Sequence, residues 1–241
     1  MTDDRIIVYT CVSKNYDRAL MPVPASDAVR FVCFTDSPAY LRAPGWEVRA
    51  VESPERLQSG HDINRYHKFF PHRLFPDARW SIYLDGNLRY AGDWRALVDR
   101  VAAAGAGLGA FWHPEGHSLA QEIEACRRLK FDARDTACVD RQIALYVGDG
   151  ARLDAPIPTN NLLVRDHAFP GLADAMSLWW SHLFEFSKRD QISLLHALAQ
   201  RSVPWQPLDG DGGVDPALVS VIWHRPPLLA RIRKRLRRMF G

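Results

Sequence analysis

This 241-residue sequence has no long apolar run and no C-x-x-C cysteine pair, and its first residues do not predict a secretory leader. A membrane-spanning helix needs roughly 18 consecutive apolar residues, and no stretch reaches that length. Met1 opens no basic segment followed by a long apolar run, so a secretory signal is not predicted. These absences predict a cytosolic protein.

Cysteine is scarce, and its spacing excludes the common zinc-finger pattern. The four cysteines form no C-x-x-C pair, and they are Cys11, Cys33, Cys126 and Cys138. Cys11 and Cys33 lie inside apolar runs typical of strands. We therefore expect free thiols, mostly buried.

Acidic residues are absent from the last part of the chain. From Arg225 to Gly241 there are seven of the 31 basic residues and no acidic ones, which leaves 24 basic against 28 acidic residues in the rest. The net charge of +3 therefore hides a body with a net charge of −4. An acidic body argues against a broad nucleic-acid-binding face.

The basic tail, residues 225–241, has the pattern of an amphipathic helix. Pro226-Pro227 can precede a helix start, and the apolar positions that follow lie near helical spacing: Leu228, Leu229, Ile232, Leu236, Met239 and Phe240. Such a helix is typical of proteins that lie on an anionic membrane surface. The alternative is that its apolar face packs on the protein body. The membrane hypothesis predicts a peripheral location at the inner membrane face.

Apolar, β-branched runs alternate with segments of helical periodicity. The predicted strands are Arg5 to Val12, Val29 to Thr35, Trp46 to Val51, Trp80 to Leu84 and Gly107 to Trp112. The predicted helices are Asn64 to Phe75, Asp93 to Ala104, Ser118 to Leu129, Val139 to Val147, Leu172 to Phe186 and Asp190 to Gln200. This alternation predicts an α/β domain over residues 1–224 with a mostly parallel sheet, followed by the tail.

A glycine-rich run, Gly105 to Gly109, follows a predicted helix and opens a predicted strand. A dinucleotide-binding loop has the opposite order, because it follows a strand and opens a helix. The run is therefore interpreted as a helix stop.

Acidic residues close two predicted strands, where open α/β sheets bind ligands. Asp85 ends the fourth strand and is followed by Gly86 and Asn87, which could bring a carboxylate and an amide oxygen close to a metal-bound diphosphate. Asp36 ends the second strand in the same way. Both segments also have good turn chemistry, so simple turns are the alternative.

Two further segments could carry chemistry. Arg65, Lys68 and His72 are spaced to share one helix face, which could bind a diphosphate or could be a solvated surface. Asp190 and Gln191 follow Arg189 at a predicted helix start. Asp190 could contact a sugar, or it could cap the helix or oppose the helix dipole.

An ordered set of short motifs resembles a glycosyltransferase-like family, formerly a domain of unknown function. The family occurs in plant Golgi proteins linked to wall and mucilage polysaccharides and in bacterial polysaccharide gene clusters. The matching motifs span about residues 5–200: Tyr9-Thr10, Val32 to Asp36, Trp46, Arg65 to Lys68, Pro71 to Pro76, Ser81 to Asn87, His113-Pro114, Gln142 with Tyr146, Trp179-Trp180 and Arg189 to Ser193.

The resemblance implies a GT-A-like nucleotide-binding fold and transfer of a sugar from a nucleoside diphosphate sugar to a hydroxyl of a glycan or lipid-linked acceptor. It implies Mn²⁺ or Mg²⁺ bound by Asp85 and by a late histidine, His224. The family often has Asp-x-Asp where this sequence has Asp85-Gly86-Asn87.

The same resemblance assigns roles to further residues. Those expected to bind the donor are Thr10, Asp36, Arg65, Lys68, Asn87 and Arg189. Asp190 and Gln191 are similar to an Asp-Gln element of retaining transferases and are expected to act at the sugar. No nucleic-acid partner is expected.

Two other classes of protein stay open at this point. A phosphatase of the haloacid dehalogenase type needs Asp-x-Asp at the first strand, where this chain has Tyr9-Thr10-Cys11 and no acidic residue. A non-catalytic module with a transferase-like fold is the second alternative.

Overall fold

The computed structural model describes residues 5–14, 19–51, 57, 59–129 and 131–222. His224 and the basic tail therefore lie outside the described residues, and the predictions made for them, including the boundary at residue 224, stay predictions. Within the described ranges, no helix has the length and apolar character needed to cross a membrane.

The described residues contain two sheets. The strands are β1 Ile6–Val12, β2 Val29–Thr35, β3 Glu47–Ala50, β4 Trp80–Leu84, β5 Leu88–Tyr90, β6 Leu108–Trp112, β7 Pro158–Asp166, β8 Trp205–Pro207 and β9 Val219–Val221. Seven strands form the central sheet in the order β3-β2-β1-β4-β7-β6-β8, and β5 pairs with β9 in a separate two-stranded sheet.

Helices cover both faces of the central sheet. They are α1 Gly60–Phe69, α2 Pro71–Leu74, α3 Trp94–Ala103, α4 Leu119–Leu129, α5 Ala133–Gly148, α6 Leu172–Glu185 and α7 Asp190–Gln200. Short 3₁₀ turns occur at Pro38–Tyr40 and Pro216–Leu218. The predicted α/β class with a mostly parallel sheet is confirmed.

The direction of the strands decides where the sheet can bind a ligand. β1 runs parallel to β2 and β4, and β7 is antiparallel to both of its neighbours, β4 and β6. The carboxyl ends of β1, β2, β4 and β6 therefore meet at one edge. The loops that follow these strands can converge on one ligand.

Each face of the sheet has its own core, because side chains alternate along a strand. Ile7 and Tyr9 of β1 point to the face covered by α1, α6 and α7, which we call the α1/α6 face. Ile6 and Val8 point to the opposite face, covered by α3, which we call the α3 face. Since both faces are buried, β1 reads as one continuous apolar run.

The helix predicted from Asn64 to Phe75 was wrong in extent. α1 begins earlier, at Gly60, and ends at Phe69, where Pro71 starts the separate helix α2. Phe70 takes a non-helical φ of −116° and ψ of 47°. A proline disfavours helical geometry at the preceding residue and has no N–H to donate, so one helix cannot run through.

Three smaller predictions have clear outcomes. α5 begins six residues before the predicted Val139, because Asp132 and Asp135 form a capping box at its start. Gly105 has a φ of +60° just after α3, which confirms the helix stop. Cys11, Cys33 and Cys126 are buried as expected, whereas Cys138 is half-buried.

Candidate active site

A cleft of about 430 Å³ opens at the carboxyl edge of the sheet. Its walls come from the end of β1, the first turns of α1 and the loop after β4, and the lining residues are Cys11, Val12, Ser13, Lys14, Gly60, His61, Asn64, Arg65, Asp85, Gly86 and Asn87. Three residues predicted to bind substrate or metal therefore line one cavity: Arg65, Asp85 and Asn87. The strand-end position of Asp85 and Asn87, which the sequence predicted, brings them there.

Hydrogen bonds hold the cleft side of α1 against β4. The phenol of Tyr83 donates to Oδ1 of Asp85 at 2.8 Å. Asn64 donates from Nδ2 to Tyr83 Oη at 3.2 Å and to the carbonyl of Cys11 at 2.7 Å. Nη1 of Arg65 donates to Oδ1 of Asn64 at 2.7 Å. This network fixes the positions of a carboxylate and a guanidinium that both line the cleft.

Asp190 extends this network into the protein interior. Its Oδ2 accepts a hydrogen bond from Lys68 Nζ at 2.8 Å and lies 3.2 Å from Arg65 Nε. Lys68 is 2% exposed and Asp190 is 3% exposed. The interpretation of the α1 face as a solvated surface is therefore wrong for Lys68. Helix capping by Asp190 is also excluded, because the N-cap of α7 is Arg189 and the Asp190 carboxylate bonds to α1 instead.

The charges of this group are strongly coupled. Burial opposes ionisation of Asp190, but the cations of Arg65 and Lys68 hold the pKa of its carboxyl well below the usual range. Burial lowers the pKa of Lys68, and the Asp190 carboxylate opposes that shift. Burial also raises the pKa of Tyr83, with the nearby Asp85 as the next cause. Tyr83 is therefore a hydrogen-bond donor to Asp85 at neutral pH.

Thr10 and Asp36 were both expected to bind the donor, and only Asp36 lies at a strand end. Thr10 lies inside β1, opposite Cys33, and is fully buried. Asp36 is exposed after β2, where its carboxylate accepts from the backbone N–H of Lys14 at 2.9 Å. Asp36 thus holds the backbone of Lys14 in place, and Lys14 lines the cleft. A direct contact of Thr10 or Asp36 with a nucleoside stays a prediction.

Arg189 and Gln191 lie at the start of α7. Nη2 of Arg189 donates to Oε1 of Gln191 at 3.2 Å, and Nε donates to Oε1 of Glu122 at 2.9 Å. Gln191 donates to the carbonyl of Pro158 at 3.2 Å. Lys68, Arg189, Asp190 and Gln191 do not line the cleft itself. Their action on the donor or the sugar stays a prediction.

Sequence reasoning missed β7, which brings polar residues to the same edge. The backbone N–H of Asp85 donates to the carbonyl of Asn161 at 2.8 Å. Both amide atoms of Asn160 and Oδ1 of Asn161 are buried without a hydrogen-bond partner among the described residues. Such atoms are rare in folded proteins unless water or a ligand satisfies them. The segment Thr159-Asn160-Asn161 resembles a loop in sequence, and this concealed the strand.

The structure also gathers His113, His117 and Glu122 near the end of β6. His113 belongs to a motif that carried the resemblance, but sequence reasoning gave it no ligand role. The signal that could have found the pair is its H-x₃-H spacing, which occurs among zinc ligands.

Comparison with known proteins finds a family model that matches more than half of the chain. The family model described as TOD1/MUCI70, glycosyltransferase-like domain, matches residues 51–205. The chain is 27% identical over 157 residues to the probable hexosyltransferase MUCI70 of Arabidopsis thaliana. That match covers 61% of this chain and 26% of the plant protein, so the chain spans about a quarter of that relative.

A solved glycosyltransferase structure has a similar fold at low sequence identity. The apo structure of WbbM, a bifunctional glycosyltransferase, superposes with a TM-score of 0.52 at 12% identity, over 86% of this chain and 39% of WbbM. The apo structure of mouse xyloside xylosyltransferase 1 gives a TM-score of 0.47 at 12% identity, over 85% and 84% of the two chains. At this identity the likeness to WbbM concerns the fold alone. It agrees with the GT-A-like α/β fold implied by the resemblance.

Proposed function

Because the chain belongs to the TOD1/MUCI70 glycosyltransferase-like domain family, we propose that it transfers a sugar from a nucleoside diphosphate sugar to a hydroxyl of a glycan or lipid-linked acceptor. The family match and the plant relative support a sugar-transferase role. The observation that carries the finer proposal is the cleft, with Asp85, Asn87 and Arg65 converging at the carboxyl edge of the sheet.

The cleft has the charges that a departing diphosphate needs. The leaving diphosphate gains negative charge as the glycosidic bond breaks, so fixed cations nearby stabilise the transition state. Arg65 lines the cleft, and its contacts with Asn64 and Asp190 limit its motion. The start of α1, at Gly60 and His61, also faces the cavity, and helix N-termini favour phosphate groups.

The donor atoms at Asp85 and Asn87 fit a hard divalent cation. Mg²⁺ and Mn²⁺ prefer oxygen ligands, and Mg²⁺ commonly takes one or two carboxylates together with substrate phosphates. Asp85 would supply a carboxylate oxygen and Asn87 an amide oxygen from the same wall. When bound, such a cation neutralises charge on the diphosphate. His224 as a further ligand is a proposal from the resemblance alone.

Asp190 is proposed to act at the sugar indirectly, through Arg65, which its carboxylate holds in place. Its ion pair with Arg65 orients a cation that faces the cleft. Gln191 is linked through Arg189 to the same helix start. Retention of configuration at the transferred sugar is proposed from the resemblance of Arg189-Asp190-Gln191 to retaining transferases. Determining the anomeric configuration of the product by NMR tests it.

Binding and turnover measurements separate the proposed function from its alternatives. Calorimetric titration with UDP, GDP and CDP, with and without Mn²⁺, is expected to identify one nucleotide whose binding strengthens with the cation. A donor screen with product mass spectrometry should then detect sugar transfer. Nucleotide binding without transfer to any acceptor would instead support a non-catalytic module.

The basic tail is proposed to bring the enzyme to the inner membrane face. The proposal rests on sequence alone, where each cation near an anionic surface contributes about 1 kcal/mol. In liposome flotation at low salt, the full chain is expected to float with anionic vesicles, whereas a chain ending at His224 is not. Both proteins remaining in the soluble fraction would show that the tail does not bind the membrane.

A further inference from the structure

A cluster of two histidines and a glutamate lies where β6 turns into α4. The potential ligand atoms of His113, His117 and Glu122 all lie within 4.8 Å of one another. Among the described residues this is the group of three His, Cys, Asp or Glu side chains close enough to hold a metal ion. It does not include Asp85 or any other residue that lines the cleft.

The two carboxylate oxygens of Glu122 face different groups, with Oε1 bonded to Arg189 and Oε2 near the two histidines. Oε1 accepts from Arg189, with Nε at 2.9 Å and Nη2 at 2.8 Å. Oε2 lies 3.7 Å from Nδ1 of His117 and 4.0 Å from Nε2 of His113. Glu122 is only 4% exposed. The guanidinium thus fixes the carboxylate with its second oxygen directed to the histidines.

His117 is oriented by a second carboxylate. Its Nε2 lies 2.8 Å from Oε2 of Glu115, so the proton is expected on Nε2. Nδ1 then carries a lone pair, and this nitrogen is buried without a hydrogen-bond partner among the described residues. A carboxylate on one imidazole nitrogen, with the other nitrogen free to ligate, is the common arrangement around protein-bound zinc.

The distances in the cluster favour a cation over direct hydrogen bonds. Separations of 3.7 and 4.0 Å between Oε2 and the two nitrogens are too long for hydrogen bonds. Around zinc, bonds of about 2.0–2.1 Å in a tetrahedron place neighbouring ligand atoms roughly 3.4 Å apart. The ligand atoms lie within 4.8 Å of one another, and the rings of His113 and His117 are stacked with their planes 10° apart. Metal binding therefore requires shifts of up to roughly 1.4 Å and rotation of one imidazole, so that both lone pairs point to the ion. If His113 ligates through Nε2, its ring proton lies on Nδ1. Nδ1 can then no longer accept the long 3.3 Å hydrogen bond from the Glu115 N–H, so that bond is lost.

We infer that His113, His117 and Glu122 bind a zinc-class divalent cation at a site separate from the donor cleft. Two imidazoles and one carboxylate are a ligand set that zinc accepts, with a water or a substrate atom in the fourth position. The site is linked to the start of α7, because Arg189 contacts both Glu122 and Gln191. The inference does not depend on the transfer reaction.

Cobalt provides a direct test, because Co²⁺ replaces zinc and absorbs strongly in visible light when bound tetrahedrally. The full-length protein, freed of metal, is titrated with Co²⁺ alone. We expect one equivalent to give the tetrahedral spectrum and Zn²⁺ to abolish it. The variants His113→Ala and His117→Ala should each lose the spectrum. Asp85→Ala, which alters the proposed cation site of the cleft, should keep it.

Thermal unfolding distinguishes a variant that has lost the metal site from a variant that does not fold. Zn²⁺ is expected to raise the Tm of the wild-type protein and of Asp85→Ala, because a ligand that binds only the native state stabilises it. His117→Ala should keep its metal-free Tm within a few degrees and show no rise. The inference is overturned if Co²⁺ gives no tetrahedral spectrum, if the spectrum survives in His117→Ala, or if only Asp85→Ala loses it.

Discussion

The two faces of the central sheet differ in what they bury. The α3 face is filled almost entirely by aliphatic and aromatic side chains, such as Val8, Ile82 and Leu97. The α1/α6 face buries the charged groups of Lys68, Asp190 and Arg165 beside its apolar core. One face therefore mainly stabilises the domain, and the other also holds the network that reaches the cleft.

Arg165 is a buried charged residue of the α1/α6 face that is only partly hydrogen-bonded. It is fully buried on β7, and Nη1 donates to Tyr9 Oη at 3.0 Å. Its Nε and Nη2 have no hydrogen-bond partner in the part of the chain that the structure describes. Buried charges are costly, and apolar replacements of similar shape often stabilise a protein. We therefore expect the polar groups of the α1/α6 face to serve function more than stability.

The largest expected effect is on activity, at the cleft itself. Asp85→Ala should lower kcat/KM at least about 1000-fold, equivalent to about 4 kcal/mol, because the carboxylate facing the diphosphate is lost. The Tm should stay within a few degrees, since Asp85 is only half-buried. Asp99→Ala, on the exposed side of α3, is the matched control and should keep full activity. Wild-type turnover by folded Asp85→Ala would refute its role.

On the α3 face we expect a loss of stability alone. Leu97 is fully buried, and Leu97→Ala should lower the free energy of unfolding by about 3–4 kcal/mol through lost burial and the cavity left behind. Turnover per folded molecule should not change. Urea unfolding and an assay at low temperature measure the two quantities. A comparable loss of turnover would show that this face also shapes the cleft.

On the α1/α6 face, removing one charge should affect both quantities. Lys68→Met leaves Arg65 as the ion-pair partner of Asp190 among the described residues, and we expect a loss of about 3 kcal/mol in unfolding free energy together with lost activity. The double variant Lys68→Met/Asp190→Leu removes the buried carboxylate as well. It should recover at least half of the stability but none of the activity. A double variant as unstable as the single one would mean that the pair is structural.

The smallest effect concerns acid sensitivity of the same face. Burial lowers the pKa of His67 to about 4, so the neutral ring is favoured in the folded state and the unfolded chain binds more protons below about pH 6.5. This stability is fully present above pH 6.5 and is lost as the pH falls towards 4. Between pH 7 and pH 5 we expect a loss of about 2 kcal/mol from this residue.

The variant His67→Gln should reduce that pH dependence, as measured by urea unfolding at several pH values. Leu97→Ala serves as the control, because it lowers stability at every pH without changing the slope. An unchanged slope in His67→Gln would show that other groups cause the acid sensitivity.

Sequence alone determined the elements whose signals are local. Strands buried on both faces appear as continuous apolar runs, and β2 and β4 were predicted to the residue. The strand ends that carry Asp36 and Asp85 followed from those runs. β7 was missed because it opens with Pro158, Thr159 and two asparagines, which are typical of loops. Its strand conformation comes from pairing with β4 and β6 rather than from its own sequence.

Tertiary structure alone decided which side chains meet. Lys68 and Asp190 are 122 positions apart, and only the packing of α1 against α6 and α7 makes them an ion pair. The same is true of Glu122 and Arg189, which are 67 positions apart. A local pattern reports the periodicity of one segment, so it can place a carboxylate at a strand end or a helix start. It contains no information on which distant charge lies beside that carboxylate, because that depends on strand order and helix packing.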